Sequence, residues 1–94
     1  MLNAANFHAH AARLVDRSIN DAERRKLAAE VREAIEVVHS QDYGAFLEHF
    51  LPAFVSILTV ITKPQWTNND VQKTRSIILE VMSRLPPNLS LIHI

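Results

Sequence analysis

The chain has 94 residues, 48% of them apolar, with ten basic and ten acidic side chains, one glycine and no cysteine. A chain this short folds as one compact unit at most, burying about 60% of its unfolded surface. The cancelling charges give no long-range field for nucleic acid or an anionic membrane, the missing cysteines exclude disulfides and thiolate metal sites, and a single Gly44 leaves neither a glycine-rich phosphate loop nor an Asn-Gly hairpin turn.

With sheets disfavoured, the expected fold class is all-α. The start, MLNAANFHAH, has neither a basic n-region nor an apolar h-region, so no secretory signal is expected. Residues 4–17 read as a short first helix with Phe7, Ala11, Leu14 and Val15 on one side and Arg13, Asp16 and Arg17 off it. Ser18-Ile19-Asn20-Asp21 then supplies a stop and a restart, because such side chains accept from the free amides of a first helical turn. The second helix spans 21–39, with Leu27, Val31, Ala34, Ile35 and Val38 in an apolar stripe wide enough for one neighbour.

Ser40-Gln41-Asp42 is the next break, with Asp42 as candidate N-cap, and so short a connection makes the second and third helices antiparallel neighbours. The third helix, Tyr43–Ile61, holds three of the four phenylalanines and is the element the others must cover. Pro52 removes its bond to the Glu48 carbonyl but projects opposite Phe46, Phe50 and Phe54, so it is compatible with a helix bent around its neighbours. The most lipid-like run, Phe50–Ile61, is twelve residues and falls short of the roughly 20 a spanning helix needs, so no membrane is expected.

TKPQWTNN, residues 62–69, is a loop, and behind the Asn68-Asn69-Asp70 cap signal a fourth helix runs to Leu85 before Pro86-Pro87. Its apolar residues span nearly 200°, wider than one neighbour covers, which predicts exposed apolar surface between Val71 and Leu85 and self-association through it. The four helices pair into two antiparallel HEAT-like hairpins, residues 4–39 and 43–85, of about 40 residues each, inside a unit covering 1–88. Stacks of such pairs form α-solenoids and require about three repeats, so this chain reads as the start of a longer one. Residues 89–94, LSLIHI, carry no helical phase; they resemble a translated sequencing adapter and are expected to be non-native.

Candidate sites are sparse. His8 and His10 point about 200° apart on a helix, and His39, His49 and His93 lack chelating spacing, so no metal or other cofactor is expected. Arg24, Arg25, Lys26 and Arg32 could meet phosphate, but Glu23, Glu30, Glu33 and Glu36 are interleaved with them as on a solvated face. No nucleophile is paired with a base, and no catalytic role is expected. Trp66, in the loop, is the one candidate for a protein contact, against the plainer reading that its ring caps the Phe-rich core.

Two stretches carry a family resemblance: DYGAFLEHFLPAFVSIL, and after the loop TRSIILEVMSRLPPN. Phe46-Leu47-Glu48-His49 with Pro52 and Phe54, then Leu79-Glu80, Arg84 and Pro86-x-Asn88, resemble the N-terminal segment of the transformation/transcription domain-associated protein (TRRAP) family, HEAT-repeat scaffolds related to phosphatidylinositol-3-kinase-like kinases. Leu14 through Asp42 fits in helix layout with weaker identity, and the resemblance ends at Asn88. It implies a nuclear, non-catalytic scaffold segment of a coactivator subunit of histone acetyltransferase complexes. The implied partners are the rest of the solenoid, complex subunits and transcription activators, and the family's kinase-like domain, which lacks catalytic residues, lies outside this chain. The alternative expectation is a self-contained helical protein-interaction module of unrelated role.

Overall fold

A computed structural model describes residues 2–62 and 68–85. Four α-helices make up the fold: α1 (Phe7–Leu14), α2 (Asp21–Ile35), α3 (Tyr43–Ser56) and α4 (Asn69–Ser83), with no strand among the described residues. Trp66 and the tail from Leu89 lie outside the described residues.

Asparagine starts each hairpin's second helix. Asn20 Oδ1 accepts from the Glu23 amide at 2.8 Å, and Asn68 Oδ1 accepts from Asp70 at 2.8 Å and Val71 at 3.2 Å, each answering amides that lack an intrahelical partner. Asp42 differs from expectation: its side chain makes no capping bond, because residues 40–42 already form a 3₁₀ turn that feeds α3 directly. Pro52 is exposed within α3, opposite the phenylalanines, and the helix runs on through it. Beyond Ser56 the coil loosens into a π-helical turn, Ile57–Ile61, closed by the Thr62 amide on the Ile57 carbonyl at 3.0 Å.

Within the first hairpin the partners run in opposite senses, His10 with Leu27, Arg13 with Glu23 and Leu14 with Arg24, so α1 and α2 are antiparallel. Between hairpins they run the same way. Asp21 meets Asn68, Arg25 meets Asp70, Arg32 meets Glu80 and Glu36 meets Arg84, which makes α2 and α4 parallel. Phe7 meets Phe46, His8 meets His49 and His10 meets Phe50, so α1 and α3 are parallel too. It follows that α3 and α4 are antiparallel.

The main packed pairs are thus α1 on α3 and α2 on α4. The expected α2–α3 neighbourhood is corrected: joined by a short connection, these two helices belong to different hairpins and different layers, and they share no extensive face. Odd helices form one layer and even helices the other, the arrangement in which helix pairs stack into an α-solenoid.

The core lies between the layers. Phe46, Phe50, Phe54 and Ile57 expose nothing, and the Phe7 ring meets Phe46 and Phe50 edge-on with centroids 5.6 Å from each. Leu14, Leu27, Ala28, Val31, Ile78 and Val81 complete it. The continuous helical run Ser40–Ile61 has 22 residues, enough by length and composition to cross a membrane and longer than the twelve-residue run apparent in the sequence. Its phenylalanine face is spent on the chain's own core, as in the central helix of a globular domain.

Candidate interaction faces

Arg24 is removed from the expected basic patch by burial. Only 4% exposed, it donates through Nη1 to the carbonyls of Leu14 at 2.6 Å and Asp16 at 3.0 Å, filling acceptors left free where α1 ends. Burial pushes its pKa down, and the nearby Asp21 carboxylate opposes that shift.

The remaining cations of α2 gain a partner from α4. Arg25, Lys26 and Arg32 line a groove of 450 Å³ between the two parallel helices, facing Lys73 across a floor that includes Ala29 and Ile77. Arg25 Nε lies 2.9 Å from Asp70 and Arg32 Nη1 lies 3.4 Å from Glu80. Lys26 and Lys73 are exposed and make no ion pair among the described residues. Sequence spacing pointed to α2 alone; Lys73 was missed because the register of α4 on α2 is a tertiary property.

A second groove lies in the other layer. His8 and Ala12 of α1 face His49, Pro52 and Ser56 of α3, and the His8 and His49 rings meet edge-to-face at 5.5 Å. His10 is largely buried and ties α1 to α2, its Nε2 donating to the Leu27 carbonyl at 3.0 Å. Among the described residues, no three His, Asp or Glu side chains gather as a metal site would require.

The third face is apolar. Leu47, Leu51, Val55 and Val60 line an open depression of 830 Å³ along α3. At 100° per residue Leu47, Leu51 and Val55 fall roughly opposite Ala53, the residue turned toward α1, so they occupy the flank where a further odd-numbered helix would lie. On α4, Leu79 and Met82 take the arc away from α2; Leu79 is 54% and Val55 48% exposed. The predicted apolar surface between Val71 and Leu85 is present at Leu79 but narrower than expected. Val71, Thr74, Ile77, Ile78 and Val81 are buried within the chain, because α4 meets both α2 and the core, and the larger uncovered strip belongs to α3.

Together the layered hairpins and this open flank define an all-helical repeat segment with an uncovered apolar end. The chain is 34% identical over 88 residues to the probable transcription-associated protein 1 of Dictyostelium discoideum, covering 92% of this chain and 2% of that protein. It is 33% identical over 78 residues to the transformation/transcription domain-associated proteins of Danio rerio and of Homo sapiens, covering 82% of this chain and 2% of each. The chain belongs to the transformation/transcription domain-associated protein family and spans about 2% of the length of these relatives. No family model and no solved structure matches it.

Proposed function

We propose that the chain is a non-catalytic scaffold segment of a transcription coactivator subunit of histone acetyltransferase complexes, acting in the nucleus through protein–protein contacts. Its relatives are named for transcription, which supports a transcription-related role and a place in protein complexes. The observation that carries the scaffold reading is the open flank of Leu51, Val55 and Val60 along the odd-layer face of the second hairpin, with Leu79 separately exposed on α4, beside two hairpins already stacked in parallel. On this reading residues 4–39 and 43–85 are the first two rungs of a HEAT-like solenoid, at the N-terminal end of a family whose kinase-like domain lies far away. A third hairpin covers the flank. Trp66, in the loop between the two helices of the second rung, is assigned to partner contact; Trp66→Ala should weaken binding without lowering the melting temperature.

The rival, a self-contained interaction module, draws support from the coverage of α4 by its own chain. Light scattering and thermal melting separate the two. If the flank awaits another rung, the isolated chain self-associates with rising concentration, and the exposed substitution Val55→Glu restores a monomer with unchanged melting. A monodisperse wild-type chain, indifferent to Val55→Glu, would remove the scaffold reading.

A further inference from the structure

The groove between α2 and α4 carries a charge pattern that the stacking role does not use. Four cationic side chains line it, and two of these, Arg25 and Arg32, sit against Asp70 and Glu80. Lys26 and Lys73 remain, one on each wall, both in water and neither ion-paired among the described residues. A whole chain of zero net charge therefore concentrates a local positive excess at one concave place. The floor between the lysines is apolar: Ala29 is half-buried and Ile77 is 7% exposed.

We propose that this groove docks a short acidic segment of a partner protein, with carboxylates on Lys26 and Lys73 and an apolar side chain between them over Ala29 and Ile77. The distance from Arg25 to Arg32 along α2 is about 10 Å at 1.5 Å per residue, which accommodates about two turns of a partner helix. A small residue at position 29 leaves the space such a side chain needs. Nucleic acid is disfavoured by the same features. A phosphate backbone wants a longer basic track and has no use for an apolar floor, and the neutral chain supplies no long-range attraction. The site stands apart from the flank on α3 and does not depend on whether that flank is covered.

Fluorescence anisotropy on the whole chain at low salt tests it with three labelled probes. These are a peptide of about three helical turns with Glu flanking a central Leu, its Gln counterpart, and a single-stranded oligonucleotide of similar charge. The acidic peptide should bind more tightly than either other probe. Lys26→Glu with Lys73→Glu should weaken it by about tenfold or more, while Arg17→Glu, an exposed cation in the α1–α2 turn, leaves it unchanged. All substituted positions are exposed, and an unchanged circular-dichroism melt confirms that the variants fold. Undetectable binding, equal binding by the Gln peptide, tighter binding of the oligonucleotide, or undiminished affinity of the double variant would each overturn the proposal.

Discussion

Arg24 and Arg75 hold corresponding places in the two hairpins: each comes from the even-numbered helix and donates to the loosened C-terminal end of its odd-numbered partner. Arg24 reaches the carbonyls of Leu14 and Asp16, and Arg75 reaches the Leu58 carbonyl at 2.7 Å and Thr62 Oγ1 at 2.8 Å. In both, a planar guanidinium satisfies acceptors that a helix end cannot satisfy itself. The fold therefore fastens its hairpins at the turn as well as through the core. Arg24→Ala should cost about 1.5–3 kcal/mol in urea denaturation, the range for losing charge-assisted hydrogen bonds and orphaning a buried acceptor. Arg24→Lys should recover only part of it, since the shorter lysine does not place its ammonium where Nη1, the one nitrogen that reaches both carbonyls, now sits. Arg75→Ala, at a half-buried position, should cost less. A loss from Arg24→Ala of less than about 0.5 kcal/mol, the scatter of ordinary surface changes, would contradict the staple.

Phe50 is the hub of the core. Its ring lies 4.8 Å from Phe46, 5.6 Å from Phe7 and 5.9 Å from Phe54, centroid to centroid, and it exposes nothing. Phe50→Ala should cost about 3–5 kcal/mol through lost burial and the cavity left behind. In so small a domain that abolishes a cooperative melt, whereas Val60→Ala, 55% exposed on the same helical run, should shift stability by about 0.5 kcal/mol or less. Calorimetry of the two variants side by side distinguishes hub from rim.

The existence and order of the helices were legible because their signals are local. The caps at Asn20 and Asn68 and the 3.6-residue phase of Phe46, Phe50, Phe54 and Ile57 sit in contiguous stretches. The partnering was not legible. A short link between α2 and α3 suggested neighbours, yet parallel stacking of hairpins sends α2 to α4, a choice set by which apolar arcs fit together. The same limit hid the cationic groove. Arg24 is indistinguishable in sequence from Arg25, and only tertiary structure buries one and leaves the other half-exposed in the groove, just as it brings in Lys73 from the other helix. His8 and His49 likewise meet only because α1 and α3 are in register.

The turn after α1 carries a pH signature. Asp16 Oδ1 accepts from the Ser18 hydroxyl at 2.7 Å and the Ser18 amide at 2.8 Å, and these two bonds, the hydroxyl's first, hold its pKa below the usual 3.8. A carboxylate depressed in the folded state contributes stability that is present above its unfolded pKa and is lost as pH falls through the folded one. Ser18→Ala should therefore raise the Asp16 pKa toward 3.8 in a carboxyl NMR titration and flatten the acid limb of the stability curve below pH 4. An unmoved Asp16 titration would show that the hydroxyl bond does not persist in solution.

Four charges set the register of α4 on α2. Arg84, just past the end of α4, bridges Glu36, just past the end of α2, and Glu80 of α4, the latter at 2.7 Å, and Glu80 reaches back to Arg32 at 3.4 Å. All four side chains are between 37% and 61% exposed, so water screens each pair and a single one is worth about 0.2–1 kcal/mol. As a connected set they work along the same axis as the parallel stacking, favouring the alignment that places Ile78 and Val81 against the core. Arg84→Glu loses two attractions and gains two like-charge contacts, so it should lower the melting temperature by more than Arg84→Ala does. Adding Glu36→Arg should return part of the loss by restoring one pair with its signs reversed. These differences should shrink in 1 M salt, where the screening length falls to about 3 Å, because the interactions are electrostatic and exposed. Salt-independent differences would assign the effect of Arg84 to its packed methylenes and leave the register to the apolar contacts alone.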